Sequence, residues 1–268
     1  MDVYIEVSLD RGAVECSQTI ERWFTCGLDI LFSGLLRSSA DWYAAIKREE
    51  FSPAERFDGK GEEVANFLNG IRTGPYYGHF GFSEEDSRLG YIETSSALMG
   101  GLSTLNTVGL PAAPAVAADP GFCSGVVKFL LMALGDANPA FGRVEMGQFT
   151  ERTNLDVALR RKVAKSMSSG RNALRGYAWV TIVPQELMER LGGCAELESS
   201  GAFFKVFPLP GGGGVLQASE TLSNYTDEAM LRIFEAFAPV LPIGKPNYHP
   251  AYPENRFVPY DVWEVRER

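Results

Sequence analysis

The chain's 268 residues, 45% hydrophobic and 22% charged, have the length and balance of an ordinary globular protein, which excludes disorder and fibrous repeats. With 25 Lys and Arg against 34 Asp and Glu, the net charge of −9 argues against a binder of the nucleic-acid backbone and in favour of neutral or basic partners.

Val3 to Leu9 is rich in β-branched and aromatic residues and reads as an opening strand. A helix follows, because Ile20, Trp23, Phe24, Leu28, Leu31 and Leu35 recur at spacings of three and four and form one apolar stripe that should pack on a sheet. Asp41 to Lys47 and Glu62 to Ile71 read as shorter helices, the second with Val64, Phe67, Leu68 and Ile71 on one face. From Gly78 to Leu98 the texture becomes aromatic and β-branched around the acidic turn Glu84-Glu85-Asp86, which indicates a hairpin.

Residues 109 to 121 carry three prolines among small residues and are the candidate for a long connection, a soft boundary within a single domain of 268 residues. Phe122 to Leu134 is expected to be a largely buried helix, Phe141 to Phe149 a strand, and Asn154 to Met167 a basic amphipathic helix with Leu155, Leu159, Val163 and Met167 inward. Gly176 to Val183 reads as a buried strand, and Pro184 opens a helix closed by Gly192 and Gly193. Phe203 to Leu209 and Val215 to Glu220 form a hairpin across Pro210 and four glycines, and Thr226 caps a last helix with Met230, Ile233, Phe234 and Phe237 inward. The proline- and aromatic-rich tail from Leu241 is expected to lie extended over the surface, with a short edge strand at its end. The irregular order of strands and helices indicates an α+β fold, mainly antiparallel sheet with helices packed on one face.

Chemistry-bearing motifs are sparse. Cys16, Cys26, Cys123 and Cys194 have neither zinc-knuckle spacing nor disulfide-scaffold density, so reduced thiols are expected. The opening residues lack a signal-peptide pattern and no apolar run approaches the ~20 residues that span a bilayer, which points to a cytoplasmic protein without membrane contact. Gly211 to Gly214 is not followed by Lys-Ser/Thr or a helix and reads as a hairpin turn rather than a phosphate loop.

His79 and His249, the two histidines, have no metal-ligand spacing, and His79 among aromatics reads as a packed strand residue. Asp58-Gly59-Lys60 is only a fragment of a nuclease pattern, and the sequence calls for no cofactor and no metal. Arg160, Arg161, Lys162, Lys165, Arg171 and Arg175 make the basic cluster; a solvated helix face explains it better than nucleic-acid binding. Glu84, Glu85 and Asp86 beside Tyr76, Tyr77 and Phe82 combine charge with aromatic anchors and form the candidate partner-binding patch.

Through Arg175-Gly-Tyr-Ala-Trp-Val-Thr-Ile-Val-Pro184, Leu191-Gly-Gly193 and the hairpin from Phe203 to Glu220, the chain resembles the immunity protein 52 family of bacterial polymorphic and type VI secretion toxin systems. A related type VI immunity family shares the strand pattern. The resemblance implies an α+β protein that binds a cognate secreted toxin stoichiometrically, the toxin being a restriction-endonuclease-like nuclease. It implies no catalytic residue and gives Gly176 and Trp179 structural roles. Two further functions stand beside it: an enzyme centred on His79 with an acid from residues 84 to 86, and a non-catalytic adaptor of a secretion apparatus.

Overall fold

Strand β1 (Asp2–Leu9) runs through the middle of the molecule, every residue after Asp2 buried, with apolar and polar side chains alternating between the two faces of a sheet. The computed structural model describes residues 2–38, 41–58, 62–84, 87–96, 103–147, 150–253 and 255–266. Helix α1 (Ser17–Cys26) continues through a π-helical turn (Gly27–Leu31) into α2 (Ser33–Arg37). Strands β2 (Asp41–Lys47) and β3 (Glu55–Asp58), helix α3 (Glu62–Ile71), and strands β4 (Tyr77–Glu84), β5 (Ser87–Ser95) and β6 (Thr104–Pro111) complete the first half. Helices α4 (Pro114–Ala117) and α5 (Pro120–Leu134) precede β7 (Phe141–Gly147), α6 (Asn154–Ala158), α7 (Val163–Ser168), β8 (Val180–Val183), α8 (Gln185–Arg190) and α9 (Gly193–Ser199). Strands β9 (Lys205–Pro208) and β10 (Gly214–Gln217) and helices α10 (Asp227–Phe237) and α11 (Val262–Arg266) follow.

The strands form one ten-stranded antiparallel sheet in the order β3-β2-β4-β5-β6-β1-β7-β8-β10-β9. Both edges are four-residue strands, β3 with Glu55, Arg56 and Asp58 and β9 with Lys205 and Pro208, a composition that discourages pairing with another chain. Register puts Phe57, Ala44, Phe80, Ile92, Val108, Ile5 and Val144 in one row across seven strands. That apolar face is covered by α1, the π turn, α3 and α5, whose Ile20, Trp23, Phe24, Phe67, Phe129 and Leu130 are buried. The ring pairs Phe24–Phe67, Phe67–Phe80 and Trp23–Phe129 lie 4.8–5.3 Å apart at tilted or edge angles, the geometry that ring quadrupoles favour. A second core, with Phe141, Leu187, Leu216, Ile233, Phe234 and Phe237, forms around α8, α10 and the end of the chain.

The α+β fold and most of the expected elements are present. Helix α3 spans the expected residues, Asp119 caps α5 by accepting from the backbone N–H groups of Gly121 and Phe122, and Thr226 caps α10 through the Ala229 N–H. Several expectations fail. Residues 109 to 121 are not a long connection: they hold the end of β6, all of α4 and the start of α5. Asp41 to Lys47 is strand β2 rather than a helix, because Trp42, Ala44 and Ile46 bury themselves at period two against β4. Asn154 to Met167 is two short helices, broken where Arg160 adopts φ 53°. The tail ends in α11 rather than an edge strand, Arg266 donating from Nε to the Ala238 carbonyl (2.8 Å) and from its terminal nitrogen to Leu241 (3.1 Å).

Candidate partner-binding face

Residues that alternate with the apolar row point to the opposite face of the sheet. Ala45, His79, Glu93, Thr107, Glu6 and Arg143 stand side by side in one row; Tyr43, Gly81, Tyr91, Gly109, Tyr4 and Glu145 make the neighbouring row. This polar face divides into two halves.

In the half on β1 and β7 the charges are sealed. Arg143 donates from Nε to Glu6 (2.9 Å), pairs with Glu145 (2.5 Å) and reaches the Thr150 carbonyl (2.6 Å). Arg175, fully buried, donates to the second oxygen of Glu6 (3.1 Å), to the Glu151 carbonyl (2.9 Å) and to Ser166 Oγ (3.3 Å), with its guanidinium 5.1 Å from the Phe141 ring centroid. Asp156, equally buried, accepts from Ser166 (2.6 Å), closes a capping box with Thr153 and pairs with Arg161 (3.4 Å). Three carboxylates therefore meet three guanidinium groups. Burial alone would weaken the Arg143 cation, but the carboxylates of Glu145 and Glu6 outweigh it and hold the group protonated. A buried charge is tolerated when paired and hydrogen-bonded in this way.

The basic cluster is a solvated face only at Arg160, Lys162 and Lys165, which are exposed. Arg161 and Arg175 belong to the buried network, and Arg171 is held by Asp10 (2.5 and 2.7 Å) and Glu186 (2.8 and 2.9 Å). These three cations are committed to internal ion pairs. Gly176 lies against Thr153, where a side-chain carbon would come within 2.9 Å, and Trp179 is fully buried with Nε1 donating to the Ser219 carbonyl (2.8 Å).

The half on β2, β4 and β5 is open. Tyr43, Tyr77, His79, Tyr91 and Glu93 all keep solvent access, Tyr43 at 48% exposure. His79 stacks with Tyr43 (5.2 Å between centroids, 26°), Tyr91 (5.9 Å, 16°) and Tyr77 (6.3 Å, 8°), so four rings lie in nearly parallel planes. Two glycines make the arrangement possible. A side-chain carbon at Gly109 would meet the Tyr91 ring at 2.1 Å, and one at Gly81 would meet the Tyr43 ring at 2.8 Å and His79 Nε2 at 2.9 Å.

Glu93 ties the array together through a single oxygen. Its Oε2 accepts from the Tyr77 hydroxyl (3.1 Å) and lies 3.2 Å from His79 Nδ1. Burial, then the Glu93 carboxylate, raise the Tyr77 pKa and keep its proton in place as a donor. His79 Nε2 is buried and without a hydrogen-bond partner among the described residues.

The expected patch is redistributed by the fold. Tyr77 is in the open half, and Tyr76 is half-buried in the bend just before β4. Phe82 is fully buried on the opposite, helix-covered face, stacked on Phe32 at 5.1 Å, because it shares the parity of Phe80. Glu84 is exposed at the end of β4, while Glu85 and Asp86 lie outside the described residues, as does Lys60 of the Asp58 fragment. The acid beside His79 is Glu93, directly opposite it on β5, and not a residue of the turn. Tyr43, Tyr91 and Glu93 escape a reading of the sequence alone, although period-two spacing of Tyr91 and Glu93 against Ile92 and Thr94 marks them as one face of a strand. All four cysteines are free, Cys16 and Cys123 buried. Burial pushes the Cys16 thiol up to about 11. Among the described residues no helix is long and apolar enough to cross a membrane, and no three His, Cys, Asp or Glu side chains converge as a metal site.

No family model matches the chain, and no curated protein matches it. Among solved structures it is similar to the Pseudomonas aeruginosa T6SS protein PA0821, with a TM-score of 0.59 over 98% of this chain and 82% of that one, at 12% identity. The likeness is one of fold.

Proposed function

We propose that this protein is a type VI secretion immunity protein that neutralises a cognate toxin by stoichiometric binding through the open half of its polar sheet face. The observation that carries the reading is the contrast on that face: rings and a carboxylate remain open to solvent beside a half in which Glu6, Glu145, Asp156, Arg143 and Arg175 are largely buried and paired with one another. Aromatic side chains next to a charge, on rigid strands, are the composition of a binding hot spot. Similarity of fold to a T6SS protein and the resemblance of the 175–184 segment to immunity families agree with it.

A nuclease toxin is the partner class that fits, because a protein that grips DNA presents a basic surface and this chain carries −9. A catalytic role for His79 fits less well, since its Nε2 is buried among the rings rather than presented to a substrate. The test is co-expression with the product of the neighbouring gene, scored by host survival and co-purification. Rescue with a stable complex supports the proposal; survival unchanged and no complex contradict it and favour an adaptor.

A further inference from the structure

Glu93 is a half-used carboxylate. Its two donors, Tyr77 Oη and His79 Nδ1, both go to Oε2, and among the described residues Oε1 takes no hydrogen bond. The side chain is 29% exposed. Of the cations on the same face, Lys47 has its Nζ on the Glu50 carbonyl (2.8 Å), and Arg56 stands on edge strand β3, three strands from Glu93 in the same row. No arginine or lysine pairs with Glu93 among the described residues, whereas Glu6, Glu145 and Asp156 in the sealed half each have a guanidinium.

Glu93 touches Tyr77 and His79, and His79 is flanked by the nearly parallel rings of Tyr43, Tyr77 and Tyr91, with Tyr43 the most exposed. A flat cation fits such a place. Its N–H groups donate to Oε1 while its plane lies on a ring face, where the negative quadrupole attracts it. Guanidinium meets both demands; an ammonium, compact and strongly hydrated, meets only the first. We infer that the open half is a receptor for an arginine side chain of the partner, with Glu93 Oε1 as acceptor and the exposed tyrosine ring as the stacking surface.

This rests on the proposed toxin-binding role and names the partner chemistry of the same face. The sealed half shows the same solution inside the protein: Arg175 donates to Glu6 while lying over the Phe141 ring.

The probe is N-acetyl-arginine amide, titrated at low salt while the His79 imidazole resonances are followed; a His249→Gln variant leaves His79 as the single histidine signal. The arginine amide should shift His79 saturably, the neutral citrulline amide should not, and the lysine amide should bind more weakly. Glu93→Gln should weaken arginine binding about tenfold, as expected for loss of a charge-assisted bond, and Tyr43→Leu should weaken it while leaving the melting temperature in place. Equal shifts with arginine and citrulline, or none with either, overturn the inference. Arginine binding without co-expression rescue would sink the immunity reading and leave the receptor standing; rescue without arginine binding would sink the receptor alone.

Discussion

The two halves of one polar sheet face differ in what becomes of their charges. On β1 and β7, Glu6, Glu145 and Asp156 are matched by Arg143, Arg161 and Arg175, and the segment from Thr150 to Arg175 supplies much of the match through backbone carbonyls and side chains. On β4 and β5, Glu93 is held by a tyrosine and a histidine and stays open to solvent. A sheet strand repeats every two residues, so the same alternation creates both halves; the stretch of chain that packs over a strand decides which half is sealed. Sealed charges must stay matched, because losing one strands its partner in the interior, whereas open charge can recognise another molecule.

The largest effect expected from breaking this contrast is in the sealed half. Arg175→Met leaves Glu6 and Asp156 short of a partner and should cost about 3–5 kcal/mol in urea unfolding. A loss under ~1 kcal/mol, the range of an exposed pair, would mean that water enters the network. Next comes Gly109→Ala, whose methyl must displace the Tyr91 ring. It should cost about 1–3 kcal/mol and alter the near-ultraviolet circular dichroism of the tyrosines. An unchanged spectrum with unchanged stability would place Tyr91 elsewhere.

Tyr43→Ala should leave stability within ~0.5 kcal/mol of the parent, as for an exposed side chain, yet weaken the proposed toxin complex by about tenfold or more. The reverse pattern, lost stability with intact binding, would make the ring array structural. The smallest effect concerns Asp10. The hydrogen bonds of Arg171 hold its carboxyl below the ordinary carboxylate range, so its contribution is complete above that range and vanishes as falling pH protonates the group in the folded protein. Because Asp10 is 44% exposed, the contribution is a few tenths to about 1 kcal/mol. Asp10→Asn should flatten the acid limb of the stability profile by that amount, and an unaltered limb would show that the pair contributes nothing.

Legibility in the sequence divides along the same line. Local signals carry the capped helices, the opening strand and the hairpins, because caps, glycine turns and helical periodicity act within a few residues. Strand β2 is hidden because Trp42, Tyr43 and Ile46 fit a short helix as well as a strand until β4 is beside them. The ion network joins Glu6 to Arg143 and Arg175, 137 and 169 positions away, and nothing local in either segment announces the pairing. In the candidate site Tyr77 and His79 are legible as an aromatic run, but Glu93 becomes their partner only through the β4–β5 register. Phe82 is misplaced for a related reason: one step of strand parity separates a surface ring from a core ring.

The central claim, that the open half is where the toxin docks, is tested most directly by measuring the affinity of the purified complex for the parent and for the Tyr43→Ala/Glu93→Gln double variant. The claim predicts a loss of about tenfold or more with an unchanged melting temperature, the signature of a truncated hot spot on an intact fold. An affinity equal to that of the parent, with both proteins folded, would place the interface on another surface.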